Sequence, residues 1–405
     1  MFIINPQALT LVDSIYHATA PSSPILIYLP SGPVLPHSVE EEERIISVLR
    51  ETTSATIARI NYRASPEHQY PTPFHDVLTG YDWIHNHLLR DETNQPYLAR
   101  LGVCGQLVGG SLATMLGLTE CRLGESRIFA SAVNNPIADW VFPDEMPSID
   151  PSELPEPHAP DETELLAEAD PMDTRQTEVP SPSPVTPKRP RRKLPPTSWQ
   201  LYGDNMTIPT LTLSAERDVL FRKPDHYFDR FASPMHFFRS PHAQMIQPEH
   251  EDMFASRQQI EPLDPDIQMS LDHYASMSQA PPELPYLARC RAYARIYPPA
   301  GTNLALPHWH VTTGDESPLL DQATELTKML RRSVARQMLK SYAGRTRWQD
   351  ANEKKMYGEK ALERVQMDTR PGLGLWTHCE DSQDGQKSIR SVGAWMKDCL
   401  ENGFN

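Results

Sequence analysis

The sequence contains one strand-to-helix turn whose spacing could carry acyl-transfer chemistry. Its residues follow the frame G-x-S-x-G-G and are Gly105, Gln106, Leu107, Val108, Gly109 and Gly110. Glycines in this frame allow strained backbone angles, and the third side chain is lifted above the edge of a sheet. Acyl transfer needs an oxygen or sulfur atom there that a neighbouring base can deprotonate. Because the third residue is Leu107, we expect the turn without its usual chemistry.

Other groups near the turn offer only weak alternatives. Cys104 ends a buried strand and is expected in the core. Ser111 is expected to bond to the backbone of the following helix, and it is kept as a fallback nucleophile. His308 and His310 have a spacing that can bind metal, but the neighbouring sequence holds no acidic or cysteine cluster to complete a site. We therefore predict no metal and no cofactor.

Strand and helix patterns alternate from residue 25 to about 140 and again from residue 307, which is typical of a parallel sheet flanked by helices. Ser38 and Glu41 have the spacing of a capping box at the start of the first helix. The fold class predicted is α/β, with a mostly parallel central sheet flanked by helices, a proline-rich insertion and a cap-like segment.

The middle of the chain breaks this pattern. The chain contains 40 prolines and 39% apolar residues, and the prolines are dense between residues 143 and 196. Such a composition cannot bury enough apolar surface to form a core and is typical of a disordered segment. We therefore divide the chain into a first core part at 1–141, a disordered linker at 142–197, a cap-like or irregular insertion at 198–300, and a second core part at 301–405. The aromatic residues 227–238 could form a lid.

The net charge and the cysteine content indicate which binding partners and which cellular compartment to expect. A net charge of −15 offers no general attraction to nucleic acid or to an anionic membrane. The N-terminus does not resemble a signal peptide, and the five cysteines lack metal-binding or paired spacing, so we expect a cytoplasmic protein. The basic run from Lys188 to Lys193 could act as a nuclear-import signal.

Three segments of the sequence together resemble the hormone-sensitive-lipase-like carboxylesterases, a group with the α/β-hydrolase fold. Residues 61–71, followed by Asp76, resemble that family's Y-R-L-A-P-E-H-x-x-P loop and the helix after it. Residues 105–110 match the family's turn in frame. Residues 313–322 resemble its G-x-x-D-P-L-x-D-Q segment. The resemblance implies an α/β-hydrolase fold and an esterase-like site.

The same resemblance implies that each part of the family's catalytic apparatus is replaced. The nucleophile position is Leu107, the acid position is Ser317, and the histidine position falls near Leu375. The family's oxyanion loop H-G-G-G corresponds here to Pro30, Ser31, Gly32 and Pro33, and a proline has no N–H to donate. Ser317 could alternatively cap a helix that begins at Pro318.

Four fallback residues remain for a displaced catalytic set. They are His378, Asp218, Asp321 and Ser111. Asp218 is included because residues 213–220 resemble a second acid-bearing strand end.

The interpretation favoured by these patterns is a catalytically inactive hydrolase that binds a small apolar acid or ester, or a protein partner. The turn at residues 105–110, with Ser31 and Gly32, would form the ligand pocket. One alternative is an active carboxylester or amide hydrolase with a non-standard nucleophile. Another is a scaffold that binds a protein partner through residues 143–196.

Overall fold

The centre of the fold is a mostly parallel β-sheet. The computed structural model describes residues 12–18, 23–35, 38–89, 100–123, 127–142, 196–246, 286–299, 301–345, 348–377 and 382–402. Its strands are β1 (Val12–Tyr16), β2 (Ile25–Leu29), β3 (Thr56–Ile60), β4 (Leu101–Gln106), β5 (Ile128–Asn134), β6 (Ala243–Ile246), β7 (Tyr286–Arg289), β8 (His308–Gly314) and β9 (Val365–Arg370). Seven of them form the main sheet, in the order β1-β3-β2-β4-β5-β8-β9.

Only β1 runs antiparallel to its neighbour in this sheet, and the other neighbours are parallel. The central strands β2 and β4 are buried along their whole length, as expected for parallel strands covered on both faces. The α/β fold with a mostly parallel sheet is therefore confirmed.

Helices cover both faces of the sheet. They are α1 (Val39–Thr53), α2 (Thr72–His87), α3 (Val108–Thr119), α4 (Ser198–Leu201), α5 (Thr210–Leu220), α6 (Pro224–Tyr227), α7 (Leu320–Ala343), α8 (Ala351–Arg364) and α9 (Ser382–Asn402), with a 3₁₀ turn at Pro234–Phe237. Helices α1 and α9 pack together on one face, where Tyr28, Cys104 and Ala132 join their core cluster. Helix α3 packs on the other face, close to Trp309 and Ser131.

Helix α1 begins as its capping spacing predicts. The Ser38 hydroxyl accepts a hydrogen bond from the Glu41 amide at 3.4 Å, and the first turn is acidic. Acidic side chains there are stabilised by the positive end of the helix dipole.

Two local predictions were wrong. Residues 213–220 lie within helix α5 rather than at a strand end, because Leu213, Arg217 and Leu220 are buried at helical spacing. The helix after β8 begins at Leu320 rather than Pro318. The buried Ser317 hydroxyl still accepts a hydrogen bond from the Leu319 amide at 3.2 Å, as a cap residue does, and it also donates to Asn135 Oδ1.

The described residues of the insertion fall into two compact units. Residues 196–240 belong to the same unit as the main sheet. The second unit includes the described residues 241–246 and 286–292, in which β6 and β7 form an antiparallel pair. The predicted linker at 143–195, including the run from Lys188 to Lys193, lies outside the described residues. No helix in the described ranges has a stretch long and apolar enough to cross a bilayer.

Two helical glycines provide a matched test of the packing between α1 and α9. A Cβ atom at Gly393 in α9 would collide with Thr52 Oγ1 of α1, whereas one at Gly358 in α8 meets nothing within 4 Å. Alanine in a helix is otherwise favoured over glycine by about 0.5–1 kcal/mol. We expect Gly358→Ala to raise the free energy of unfolding by about that amount and Gly393→Ala to lower it by about 1–3 kcal/mol. Urea denaturation measures both, and equal stabilisation by the two variants would contradict this packing.

Candidate active site

The turn between β4 and α3 has the strained geometry that its glycine frame predicts. Leu107 has φ 52° and ψ −114°, a conformation that a branched side chain rarely adopts. A Cβ atom at Gly105 would collide with the Gly109 carbonyl, and one at Gly109 would collide with the Leu29 and Pro30 carbonyls. Only glycine therefore allows helix α3 to approach the strands so closely.

The side chain at the nucleophile position is part of the protein interior. Leu107 is 0% exposed, and its amide donates to the Asn134 carbonyl at 3.0 Å. The segment after α6 covers the start of α3, where the Ser111 hydroxyl donates to the Ala232 carbonyl at 3.5 Å. The Met235 amide also donates to the Ala138 carbonyl at 3.0 Å. A fully buried hydrocarbon at this position offers neither a nucleophile nor access for a substrate.

Gln106 joins this turn to the loop after β9. Its Oε1 accepts from the Trp376 amide at 2.7 Å, and its Nε2 donates to the Thr377 hydroxyl at 2.8 Å. Leu375, at the expected histidine position, is 4% exposed and immediately precedes these residues. The loop that would carry a catalytic base is thus held against the turn with an apolar side chain at that position.

The acid position lies within a neutral hydrogen-bond network at the carboxyl edge of the sheet. Asn135 Oδ1 accepts from the Ser317 hydroxyl at 2.7 Å and from the Thr313 hydroxyl at 2.8 Å. Asn135 Nδ2 donates to the Leu373 carbonyl at 3.0 Å. Ser317, Thr313 and Asn135 are all fully buried. No carboxylate takes part in this network, so it cannot supply the charge that orients a catalytic imidazole.

Asn134 extends the network to the same loop. Its Nδ2 donates to the Thr312 hydroxyl and to the Gly374 carbonyl, both at 2.8 Å. The consecutive asparagines at the end of β5 were not singled out from the sequence. Two amides directly after a buried strand are the signal that could have found them.

Removing the Asn135 amide should leave buried polar groups without partners. An unsatisfied buried donor or acceptor costs about 1–3 kcal/mol, and four groups bond to this side chain. We therefore expect Asn135→Ala to lower the free energy of unfolding by about 3–5 kcal/mol. Chemical denaturation would measure the loss. The exposed Asn303 is the control, and Asn303→Ala should change stability by less than about 0.5 kcal/mol. Similar values for the two variants would contradict the network.

The loop that resembles the Y-R-L-A-P-E-H segment positions Tyr62 against the oxyanion loop. Arg63 and Asp76 form a two-pronged ion pair, with N–O distances of 2.7 and 2.9 Å. The Tyr62 hydroxyl donates to the Pro30 carbonyl at 2.8 Å. Burial and the nearby Glu42 carboxylate raise the pKa of Tyr62 well above its ordinary value, so the phenol stays a proton donor.

A cleft of about 410 Å³ remains beside the oxyanion loop. Gly32 lies at φ 79° on one wall, and a Cβ atom there would come within 2.9 Å of Val108 Cβ. The Arg59–Glu42 ion pair also lines the cleft, with both side chains less than 10% exposed. Ser31 also lines this cleft, whereas Leu107 does not.

Neither Asp218 nor Asp321 assembles with the turn. The Asp218 side chain is 69% exposed on α5 and pairs with Arg217 at 2.7 Å. The Asp321 carboxylate accepts from the Ser198 amide at 2.7 Å, which holds α4 against α7. Burial raises the pKa of the Cys104 thiol, which keeps it protonated in the core. His378 lies outside the described residues.

A buried histidine near the covering segment was not singled out from the sequence. His236 Nδ1 lies 2.9 Å from the Phe228 carbonyl, and its Nε2 lies 3.6 Å from Asp139 Oδ2. Asp139 also pairs with Arg239 at 2.7 Å. Neither ring nitrogen of His236 reaches a hydroxyl or thiol, so this imidazole does not activate a nucleophile here.

His308 and His310, the His-x-His pair on β8, lie in different surroundings. His310 Nε2 lies 3.4 Å from Asp368 Oδ2, and its ring packs near Trp395. Burial, together with the charges of Arg364 and Arg127, lowers the pKa of His308 to about 4. Among the residues that the structure describes, no group of three metal-ligating side chains comes together.

The depressed pKa of His308 makes stability depend on pH. The unfolded chain takes up a proton near pH 6.5, whereas folded His308 takes it up only near pH 4, so stability falls as the pH falls between these values. We expect His308 to account for about 2–3 kcal/mol of the decrease in the free energy of unfolding between pH 7 and pH 4. In urea titrations from pH 7 to 4, His308→Gln should lose less stability than the parent by that amount. The exposed His75→Gln variant should follow the parent, and an unchanged pH profile in His308→Gln would refute the assignment.

The sheet order, the strained turn after β4 and the loops around it are those of the α/β-hydrolase fold. A family model described as alpha/beta hydrolase fold matches residues 26–236, about half of the chain. The chain therefore belongs to the α/β-hydrolase fold family, and its resemblance to the hormone-sensitive-lipase-like carboxylesterases is confirmed.

Curated relatives match a shorter segment. The chain is 30% identical over 91 residues to ethyl acetate hydrolase from Pseudomonas putida, which covers 22% of this chain and 28% of that protein. It is 27% identical over 97 residues to tuliposide A-converting enzyme b1, amyloplastic, from Tulipa gesneriana, with coverage of 22% and 26%. The match spans only about a quarter of the length of these relatives.

Solved structures resemble the chain over most of its length. Carboxyl esterase 2 from the mycorrhizal fungus Tuber melanosporum superposes with a TM-score of 0.53 at 10% identity, covering 96% of this chain and 80% of that one. A hyperthermophilic esterase from the archaeon Pyrobaculum calidifontis gives 0.51 at 14% identity, with coverage of 95% and 78%. At these identities the likeness shows the fold alone.

Proposed function

We propose that this protein is a catalytically inactive α/β hydrolase that acts by binding a small, largely apolar carbonyl compound. The observation that carries the proposal is the full burial of Leu107 at the nucleophile position. The neutral network around Asn135 and the apolar Leu375 support it, because neither provides a charged acid or a base.

The cleft beside the oxyanion loop is the binding site in this proposal. Pro30, Pro33 and Leu35 give it an apolar side, and Ser31 and Asn61 offer polar groups that can bond to one carbonyl oxygen. Its charged side chains, Arg59 and Glu42, already pair with each other, which favours an uncharged ligand. An ester fits these features better than a free acid does.

The alternative of an active hydrolase with another nucleophile has less support. The Ser111 hydroxyl bonds to a backbone carbonyl, and the Cys104 thiol lies in the core with a raised pKa. A scaffold role through residues 143–196 stays a separate proposal. Capture of a protein partner by that segment alone, without the folded core, would favour it.

Restoring the serine alone should not restore catalysis. Among the described residues, Leu375 and Ser317 stand where the family's histidine and acid would activate a serine at position 107. Loss of triad members removes several orders of magnitude in rate. We expect Leu107→Ser to hydrolyse p-nitrophenyl acetate no faster than the parent chain, within about twofold of buffer. Circular dichroism would establish that the variant is folded. A hundredfold gain in rate would show that a working base and acid are present.

Binding is tested separately with an ester that is not turned over. Ethyl butanoate should raise the melting temperature of the parent, and by a smaller amount that of Ser31→Ala, which loses one hydroxyl but keeps the cleft open. Ser31→Trp, which fills the cleft, should abolish the shift. Release of butanoate, or an equal shift in Ser31→Trp, would contradict the proposal.

A further inference from the structure

A second and larger cleft lies at the opposite edge of the sheet. It has a volume of about 1060 Å³, at the upper end of the range for small-molecule sites. Arg127 and Phe129 line it at the start of β5, His308 at the start of β8 and Arg364 just before β9. Because these strands are parallel, this is their amino edge, whereas the turn at Leu107 lies at the carboxyl edge.

The cleft is positively charged in a protein whose net charge is −15. Four cationic side chains line it, and two carboxylates oppose them, which leaves a surplus of two positive charges. The cations are Arg127, Lys340, Lys360 and Arg364, and the carboxylates are Glu363 and Asp398. A local excess of this sign in an acidic protein attracts anions to the cleft.

Arg127 and Arg364 lie near each other, because they bond to the consecutive residues Ala305 and Leu306, and neither pairs with a carboxylate of the described residues. Burial lowers the pKa of both guanidinium groups, and the charge of Arg127 lowers the pKa of Arg364 further. Each donates to a backbone carbonyl, Arg127 to Ala305 and Arg364 to Leu306. These contacts use few of the five N–H groups of each guanidinium, and the buried Nε of Arg364 has no hydrogen-bond partner.

Two like charges held together in a partly buried site are costly unless an anion lies between them. The positive charges of the two arginines also lower the pKa of the neighbouring His308 imidazole, which keeps it uncharged. The two arginines therefore form a cationic site in which several guanidinium N–H groups remain available to a ligand. Guanidinium groups bind phosphoryl and carboxylate groups through paired hydrogen bonds.

Aromatic side chains form other parts of the same cleft. Tyr342 is 77% exposed, and the Lys360 ammonium lies 5.6 Å from its ring centre. Trp395 is half-buried and also lines the cleft. These side chains can contact a flat or apolar body attached to the anionic group.

We propose that this cleft binds a small organic anion, in which a phosphoryl or carboxylate group lies between Arg127 and Arg364 and an aromatic body lies toward Tyr342. This site is separate from the cleft beside Gly32 and does not rest on the function proposed for that region.

Calorimetric titration of the full chain tests the proposal with four probes: adenosine monophosphate, 2-naphthoate, inorganic phosphate and uncharged adenosine. We expect at least one of the two aromatic anions to bind, and to bind at least tenfold more tightly than adenosine or inorganic phosphate. Binding should weaken as salt is raised, because the attraction is between charges. The preferred anion then distinguishes a phosphoryl ligand from a carboxylate ligand.

Three single substitutions test whether the anion binds in this cleft. Arg127→Gln should weaken it at least tenfold, and Lys360→Gln, which changes an exposed side chain and should not disturb folding, should weaken it about threefold. Arg390→Gln, an exposed arginine of α9 outside the cleft, should bind like the parent. The proposal is overturned if neither aromatic anion binds, if inorganic phosphate binds as tightly as they do, or if all three variants bind equally well.

Discussion

A set of hydrogen bonds between uncharged groups at the carboxyl edge of the sheet holds the loops around the turn in place. Asn135 brings together the end of β5, the end of β8 and the loop after β9 through contacts with Thr313, Ser317 and Leu373. Gln106 joins the same loop to the turn before α3. In an esterase of this fold, charged and titratable groups would occupy this edge. Here neutral amides and hydroxyls satisfy one another and hold the loops in place.

The turn at Leu107 has a strained backbone, but the residue at its centre is not a nucleophile. A branched residue at positive φ costs on the order of 1–3 kcal/mol, and such strain persists only where the surroundings impose it. The surroundings here are the close contacts of Gly105 and Gly109 and the segment that covers α3. The geometry is thus a property of the fold's packing, and Leu107 contributes a buried apolar side chain to that packing.

The sequence predicted the sheet and the turn because their signals are local. Glycine spacing around Leu107, the apolar run of β2 and the Ser38 cap each depend on a few neighbouring residues. Residues 213–220 were misassigned because a short apolar run fits either a strand or a helix. The bonds from Asn135 to Ser317 and Leu373 join residues far apart in the chain, so local patterns could not predict them.

Covalent labelling shows whether any side chain at the turn acts as a nucleophile. The full chain is incubated with an excess of a fluorophosphonate, which reacts with activated serine hydroxyls, and its intact mass is then measured. We expect an unchanged mass, and the ethyl acetate hydrolase of Pseudomonas putida is treated in parallel as a reference for the labelling reaction. A single stoichiometric adduct on a serine near the turn, such as Ser111, would contradict that expectation.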